Sequence, residues 1–255
     1  MVPTVSRGKQ PMARLPSSCV TDRTPEQRRE ELIRLYHEVG DCRRCPLGAT
    51  RTKAVFGMGH ADADLMFVGE APGAEEDRQG LPFVGRAGKL LDQLLAEIGL
   101  NGSDDVFIAN VLKSRPPGNR DPQPEEIEAC RPYLETQIDL IEPLVICTLG
   151  NFATKLLTGT QVGITRQRGR PQERELGGRP VTLYPLFHPA AALRAPRVLE
   201  ELRQDFAGIP ELLAHERRRA EERARPSALA AVAAAMDAGD TPDPVPQLGL
   251  FGSKP

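Results

Sequence analysis

The chain has 255 residues, of which 40% are hydrophobic and 27% are charged, and its formal net charge is −2. These proportions indicate a soluble globular protein and exclude a fibrous or wholly disordered chain. No apolar run approaches the roughly 18–20 residues of a membrane span, and the N-terminus lacks the apolar stretch of a secretory signal, so we expect a cytoplasmic protein. Because the net charge is small, binding to nucleic acid must depend on local basic patches, such as the arginine-rich segment 166–179.

The chain begins with a segment that we expect to be disordered, since residues 1–24 are rich in Pro, Ser and Arg. A helix is predicted immediately after it, in PEQRREELIRLYHEVG, because four apolar residues recur on one face at helical spacing: Leu32, Leu35, Tyr36 and Val39. Thr24 suits the N-cap of that helix, and the proline after it suits the first helical position.

Four apolar runs of strand length follow, namely DLMFVGE, VFIANVL, LVICTLG and VTLYPLF. Their continuous hydrophobicity is typical of strands buried on both faces of a parallel sheet. Helical patterns such as GKLLDQLLAEIG and PEEIEACRPYLETQIDLI separate the first three runs, which predicts an α/β layered domain over residues 25–225. The remaining segment is rich first in Ala and then in Pro and Asp, so we expect a flexible tail over residues 226–255.

Four cysteines in the expected domain have a spacing that predicts a metal site. Cys42 and Cys45 form a CxxC, whose two thiolates reach one metal ion or cluster from a single turn. Cys130 lies on a predicted helix and Cys147 at the end of a predicted strand, so the fold must bring them to the CxxC. The spacing leaves zinc and iron–sulfur open, and the alternative is that Cys130 and Cys147 are small core residues.

Three unusual motifs follow predicted strands, at the positions where ligand sites of open α/β sheets lie. The first strand is followed by GEAPGAEEDRQGLPFVGRAGKLL, in which Phe83 stands among small residues. Asn110 ends the second strand, before KSRPPGNRDP, and His188 ends the fourth, in FHPAAALR. Taken singly, Asn110 is explained as a turn former, His188 as a core histidine and Phe83 as packing. Three such residues at converging strand ends predict one ligand site.

Together, GEAPGAEEDRQGLPFVGRAG, NVLKSRPPGNR, FHPAAALR and the four-cysteine pattern resemble the family 4 uracil-DNA glycosylases, over about residues 25–213. Relatives outside this family have Leu in place of Glu70, and a branch that traps uracil covalently has a basic insertion in the RPPGNR loop. The resemblance implies a three-layer α/β/α fold with a four-stranded parallel central sheet, and a monomeric enzyme that hydrolyses the N-glycosidic bond of uracil in DNA. It also implies a 4Fe–4S cluster held by Cys42, Cys45, Cys130 and Cys147.

The resemblance implies a role for each residue of the ligand site. Phe83 would stack on a uracil that has been flipped out of the duplex, and the side-chain amide of Asn110 would read its edge. Glu70 would occupy the space that a thymine methyl group needs, and the backbone N–H of Ala71 would donate to the base. His188 would donate a hydrogen bond to uracil O2 while negative charge develops there.

Water activation and DNA contact are two further roles. Better-known superfamily members orient the attacking water with Asp or Asn where this chain has Ala71, so Glu76 and Asn119 are our candidates for that role. Relatives insert a large apolar residue, four positions after the histidine, into the vacated base stack. Ala192 stands at that position and Leu193 follows it, so either Leu193 is the wedge or base flipping uses other contacts. The arginine-rich segment 166–179 would form a loop that contacts phosphates, together with the predicted DNA-binding residues Lys113, Arg115, Leu193 and Arg194.

Two other functions are compatible with the sequence. One is a catalytically weak or silent member of the same fold that binds uracil or damaged DNA without cleaving it, an alternative supported by the missing water-orienting residue. The other is a metal-stapled DNA-binding module without a pocket. Such a module would bind uracil-containing and thymine-containing DNA alike.

The end of the chain carries a short apolar motif, QLGLF, within a polar tail. It closely resembles the peptide by which bacterial repair and replication proteins bind the sliding clamp. Leu248, Leu250 and Phe251 would fill apolar pockets on the clamp and Gln247 would make a polar anchor, with an affinity of about 1 μM. The alternative is an apolar patch that docks back onto the domain.

Overall fold

A computed structural model describes the backbone of residues 23–237 and the side chains of residues 23–223. The described residues contain six strands: β1 (Met58–Gly59), β2 (Leu65–Gly69), β3 (Val106–Asn110), β4 (Val145–Leu149), β5 (Gln172–Leu176) and β6 (Arg179–Leu186). The helices, in chain order, are α1 (Pro25–Asp41), α2 (Leu47–Thr50), α3 (Ala74–Gln79), α4 (Arg86–Glu97), α5 (Pro124–Ile141), α6 (Asn151–Thr158), α7 (Ile164–Gln167), α8 (Pro189–Ala192), α9 (Pro196–Ala207) and α10 (Ile209–Asp237). A 3₁₀ turn lies at Pro117–Asn119.

The first helix begins where its capping residues predict. The Thr24 hydroxyl accepts a hydrogen bond from the Gln27 backbone N–H, and the Gln27 side chain accepts one from the Thr24 backbone N–H. This reciprocal capping box satisfies two N–H groups that a helix start leaves without partners. Leu32, Leu35 and Val39 form the buried face of α1, as their spacing predicts, whereas Tyr36, expected on the same face, is 55% exposed.

The central part of the sheet is parallel, as the apolar runs predict. Parallel ladders join β2 to β3, β2 to β4 and β4 to β6, and the complete order is β1-β3-β2-β4-β6-β5. The expected count of four strands is corrected to six, because β1 and β5 add antiparallel edges. β1 has only two residues, and β5 alternates half-buried with exposed side chains. Neither has the continuous apolar run that identifies the four central strands.

The sheet separates two hydrophobic cores, one on each face. On one face, Met66 and Val68 of β2 pack in the same core as residues of α1 and α5. On the opposite face, Leu65 and Phe67 pack with α4 and α9, and the Phe67 ring stacks on Phe206 with 5.8 Å between centroids. Successive side chains of a strand point to opposite faces, so helices cover both sides of the sheet. The three-layer α/β/α fold is thereby confirmed.

The arginine-rich segment 166–179 differs from the expected phosphate-contacting loop. It contains the end of α7, all of β5 and the first residue of β6. Arg168 Nε lies 2.9 Å from Asp205 Oδ2, and Arg179 Nη2 lies 2.8 Å from Glu142 Oε1. These two guanidinium groups join elements of the domain to one another, and the expectation of a loop is wrong.

The C-terminal part of the chain also departs from the sequence-based boundaries. The last helix continues to Asp237, past residue 226, where the composition predicts a flexible tail. Contacts divide the chain into a first unit that ends at Leu213 and a second that begins at Ala214. No helix in the described part of the chain is both long and apolar enough to cross a membrane. Residues 1–22 and 238–255, and with them the clamp-binding-like motif, lie outside the described residues.

Candidate active site

A cavity opens at the carboxyl ends of the parallel strands, where the sequence predicts a ligand site. Its volume is about 400 Å³, which falls in the usual range for small-molecule sites. All the predicted catalytic and substrate-binding residues line it: Glu70, Ala71, Glu76, Phe83, Asn110, Asn119 and His188. The fold thus brings together segments that follow β2, β3 and β6.

Two glycines leave room for Phe83 in the cavity wall, and one of them also leaves room for Asn110. Phe83 has a left-handed backbone, with φ of 52°, and a Cβ on Gly88 would lie 1.5 Å from its carbonyl oxygen. A Cβ on Gly69, at the end of β2, would lie 2.4 Å from Asn110 Oδ1 and 2.8 Å from Phe83 Cζ. Sequence reasoning missed both glycines, although a glycine at the end of a buried strand, such as Gly69, is a usable signal of close approach.

His188 presents one hydrogen-bond donor to the cavity. Its Nδ1 accepts a hydrogen bond from the Ala190 backbone N–H at 3.1 Å, so the neutral ring carries its proton on Nε2. Burial lowers the pKa of His188 to about 4, and the carboxylate of Glu76 opposes this shift only in part. The Phe83 ring stacks on the imidazole, with 5.7 Å between centroids and 26° between planes. At neutral pH the side chain is therefore an uncharged Nε2–H donor in an apolar wall.

The Glu76 carboxylate fixes the turn that carries Phe83. Its Oε1 accepts hydrogen bonds from the backbone N–H groups of Val84, at 3.0 Å, and Gly85, at 2.9 Å. Because Gly85 is the N-cap of α4, the carboxylate also satisfies donors at the start of that helix. Glu76 therefore has a structural role that its position in the acidic motif does not reveal.

Glu70 continues directly from β2 into the cavity wall. Its backbone carbonyl accepts a hydrogen bond from the Leu112 N–H at 3.0 Å, which ties the loop after β2 to the segment after β3. Burial and, to a smaller extent, the charge of Asp121 raise the pKa of the Glu70 carboxyl. The side chain also lines a second cavity, beside α6, that shares His188 with the first.

Lys113 supports Asn110 from inside the domain. Its Nζ donates to the Asn110 carbonyl oxygen at 2.7 Å and to Gln137 Oε1 at 2.6 Å, and Gln137 donates to the Phe56 carbonyl oxygen at 3.0 Å. Lys113 is 1% exposed, and burial lowers its pKa to about 7. The prediction that Lys113 contacts DNA phosphates is wrong, because the amine points into the core and both of its hydrogen bonds are internal.

The RPPGNR loop forms the exposed rim of the cavity. Arg115 Nε donates to Asn119 Oδ1 at 2.7 Å, which orients the amide of this water-positioning candidate. Asn119 has a left-handed backbone, with φ of 55°, a conformation that asparagine tolerates. Arg120 is held by a salt bridge to the buried Glu126, with 2.5 Å between Nη2 and Oε1. The rim is thus ordered by side-chain contacts within and beside the loop.

Comparison with known proteins identifies the family. The model of the uracil DNA glycosylase superfamily matches residues 56–207, which include the whole cavity. The chain is 46% identical to the type-4 uracil-DNA glycosylase of Archaeoglobus fulgidus over 187 residues, 72% of this chain and 94% of the relative. It is 49% identical to the type-4 enzyme of Thermotoga maritima over 168 residues, 65% and 85% of the two chains. The Sulfurisphaera tokodaii type-4 enzyme is 46% identical over 187 residues, 72% and 85% of the two chains. This chain belongs to the type-4 uracil-DNA glycosylases.

This family member exposes its wedge candidate, Leu193. Leu193 directly follows α8 and is 45% exposed, whereas Ala192 is 4% exposed. An exposed apolar side chain can enter a base stack, and a buried methyl group cannot. Arg194, the next residue, is also exposed. The roles of Leu193 as wedge and of Arg194 as DNA contact stay predictions.

Three of the predicted metal ligands of this type-4 chain lie together. Cys42 follows α1, Cys45 precedes α2, and both pack in the same core as Cys130 of α5. Burial and the nearby Cys42 raise the pKa of Tyr133, and the Arg44 guanidinium lies 4.8 Å from the centre of the Tyr133 ring. The short loop between α1 and α2 therefore packs against α5 next to Cys130.

Cys147, the predicted fourth ligand, lies on the opposite face of the sheet. It is the central residue of β4, is fully buried, and packs in the core that contains Leu65 and Phe67. The prediction of Cys147 as a ligand is wrong, because the sheet stands between its sulfur and the other three cysteines. Burial raises the pKa of the Cys147 thiol, as in an inert core cysteine. Within residues 23–223, no three His, Cys, Asp or Glu side chains are close enough to hold a single metal ion.

Proposed function

We propose that this chain removes uracil from DNA by hydrolysing its N-glycosidic bond, which leaves an abasic site. The observation that carries the proposal is the cavity in which a buried amide, an aromatic ring and a neutral histidine donor converge. A base inside the duplex cannot reach such a cavity, so the nucleotide must flip out of the stack. The names of the type-4 relatives support the same reaction.

Base recognition rests on Asn110 and Phe83. The Asn110 amide donates to uracil O4 and accepts from N3–H, whereas cytosine presents the reverse pattern of donor and acceptor. A cytosine in the cavity would leave buried polar groups unpaired, at a cost of about 1–3 kcal/mol each. The Phe83 ring supplies a flat apolar surface for the base.

Glu70 and Ala71 complete the proposed base pocket. The Glu70 side chain takes up the space beside C5 of the pyrimidine, where thymine carries a methyl group. The Ala71 backbone N–H is the proposed donor to the base from the same loop. Both residues line the cavity directly after β2. The strand holds the Glu70 side chain in a fixed position, so that a thymine methyl group would clash with it.

Bond cleavage rests on His188. The bond breaks with negative charge on uracil O2 and positive charge on the sugar, and the Nε2–H of the neutral imidazole is the proposed donor to O2. A donor that is already oriented, in a site with little water, stabilises developing charge without reorganisation. No carboxylic acid is then needed to protonate the leaving base.

Glu76 is the proposed residue that orients the attacking water, and Asn119 is the second candidate. Glu76 Oε1 accepts from two backbone N–H groups, so the carboxylate is held in place, and we assign the water contact to Oε2. The amide of Asn119 lies on the rim, with its oxygen engaged by Arg115. The nearby negative charge of Glu76 would also stabilise positive charge on the sugar.

The proposed cofactor is a 4Fe–4S cluster with a structural role. Cys42, Cys45 and Cys130 form a thiol-rich site, which suits iron–sulfur chemistry, and a four-iron cluster separates its ligands more widely than a single ion does. When bound, the cluster would tie the loop between α1 and α2 to α5. The hydrolysis needs no electron transfer, so no catalytic step is assigned to the cluster.

DNA and the sliding clamp are the proposed macromolecular partners, with the chain acting as a monomer in the cytoplasm. Arg115, Arg194 and the Leu193 wedge would contact the DNA around the flipped nucleotide. The motif that contains Gln247, Leu248, Leu250 and Phe251 would bind the clamp and keep the enzyme near its substrate. Support for the clamp comes from the sequence resemblance alone.

Incubation with an oligonucleotide that contains one uracil, followed by alkali, tests the proposed activity. We expect a strand break at the uracil and none in the matched thymine oligonucleotide. Binding of uracil DNA without a break would instead indicate a silent member of the family. Equal binding of both oligonucleotides without a break would indicate a DNA-binding module.

A further inference from the structure

In the described part of the chain, the thiol-rich site has three cysteines and a buried hydroxyl beside them. With Cys147 on the other face of the sheet, the described residues supply three thiols to this site, from Cys42, Cys45 and Cys130. A cubane cluster offers four irons to protein ligands. Within residues 23–223, the donor for the remaining iron must therefore be a residue other than cysteine.

Ser114 is tied to both parts of the chain that carry these thiols. Its side chain is buried, at 3% exposure, and its Oγ lies 3.0 Å from Arg51 Nη1. The Nη2 of the same guanidinium donates to the Cys42 carbonyl oxygen at 3.1 Å and to the Gly40 carbonyl oxygen at 2.6 Å. One planar group therefore joins the Ser114 hydroxyl to the loop of the CxxC.

The backbone next to Ser114 reaches the third thiol. The N–H of Lys113 is hydrogen-bonded to the Cys130 sulfur. Ser114 is the next residue, so the buried hydroxyl directly follows the residue whose N–H contacts Cys130. Tyr133 carries a second hydroxyl near Cys42, but the guanidinium of Arg51 donates to the Ser114 oxygen. Ser114 is thus the better placed of the two oxygen donors.

We propose that Ser114 Oγ is the fourth protein ligand of the cluster, in place of a cysteine thiolate. The inference rests on the proposed 4Fe–4S cofactor. On ligation the Ser114 hydroxyl loses its proton to solvent, its oxygen binds one iron, and no electrons are exchanged. The guanidinium of Arg51, which donates to this oxygen, stabilises the resulting alkoxide. Oxygen is a harder ligand than sulfur, so this iron differs chemically from the other three.

The proposal is tested on the full chain purified without oxygen. Its iron and sulfide contents are measured, and Mössbauer spectroscopy is the second readout. We expect about four irons in the parent chain, with one iron distinct from the other three. Ser114→Ala should retain about three irons, and Ser114→Cys should retain about four with the distinct iron lost from the spectrum. Cys147→Ala and Cys147→Ser should match the parent, whereas Cys130→Ala should lose the cluster.

Two results would overturn the assignment of Ser114. One is an iron content and spectrum of Ser114→Ala equal to those of the parent. The other is loss of iron in both Cys147 variants while their circular dichroism stays that of the parent. If the parent chain contains no iron, both the proposed cluster and the assignment of Ser114 as its ligand are wrong. The uracil-oligonucleotide assay tests the glycosylase activity independently of this result.

Discussion

His188 offers the cavity a donor whose direction is fixed, because its Nδ1 is held by the Ala190 N–H. Replacing this side chain removes the proposed stabilisation of uracil O2 and leaves the surfaces around the cavity unchanged. We predict that His188→Ala lowers the single-turnover rate of uracil excision by about 10²–10³, as for the loss of one oxyanion donor. DNA affinity, measured by fluorescence anisotropy, should stay near that of the parent. A variant that cleaves at the parent rate would exclude His188 from the reaction.

The lowered pKa of His188 also has a consequence for stability. The folded-state pKa of about 4 lies below the ordinary value of 6.5, so the unfolded chain takes up this proton first as the pH falls. The contribution of neutral His188 to stability is therefore present above pH 6.5 and lost as the pH falls towards 4. We predict that the unfolding free energy decreases less over this interval in His188→Asn than in the parent. Urea unfolding at several pH values measures the unfolding free energy of both proteins. If it has the same pH dependence in the parent and in His188→Asn, the lowered pKa of His188 is contradicted.

Asn110 is the residue on which base selectivity depends. In Asn110→Asp, a carboxylate replaces the amide and cannot donate to uracil O4. We predict slower excision of uracil and a smaller ratio of uracil to cytosine excision, because a carboxylate accepts from the cytosine amino group. Excision rates on matched uracil and cytosine oligonucleotides give this ratio. An unchanged ratio would show that another group reads the base.

At the scale of elements, Lys113 joins the end of β3 to α5. Lys113→Met keeps the length of the side chain but leaves the Asn110 carbonyl and Gln137 Oε1 without their donor. We predict a loss of folding stability of about 1–3 kcal/mol for each unpaired group. The salt dependence of DNA binding should not change, whereas Arg194→Ala should reduce its slope by about one unit. A reduced salt-dependence slope in Lys113→Met would instead indicate that Lys113 contacts a DNA phosphate.

The sequence predicts the elements that have a continuous apolar run, a capping box or a helical period. It does not predict β5, because alternate charged side chains at a sheet edge resemble a loop. Nor does it predict the face on which Cys147 lies. Val145, Cys147 and Leu149 share one face of β4, but which face carries α5 is decided by the connections of the whole sheet.

At the scale of the whole molecule, the cavity could be predicted because parallel strands end on the same edge of a sheet. Residues as far apart as Glu70 and His188 meet there for that reason alone. The burial of Lys113 could not be predicted, because lysine is almost never fully buried without a partner and its partner Gln137 is distant in sequence.

The C-terminal motif gives a prediction for the intact chain. Leu250→Ala together with Phe251→Ala should abolish retention on the immobilised sliding clamp of the host, since both apolar anchors are removed. Excision on free oligonucleotides should be unchanged, because the motif lies outside the cavity-bearing segment 70–190. Substituting Lys254 and leaving the motif intact provides the matched control. Equal retention of the double variant and the parent would exclude the motif as a clamp ligand.

Release of free uracil is the most direct test of the account. The full chain is mixed in excess with a duplex that contains a single U·G pair, and the liberated base is quantified by mass spectrometry beside a matched T·G duplex. We predict one free uracil per uracil duplex, no free thymine, and a rate that falls by about 10²–10³ in His188→Ala. No uracil release, or equal release by the parent and His188→Ala, would contradict the assignment of this cavity as the site of uracil excision.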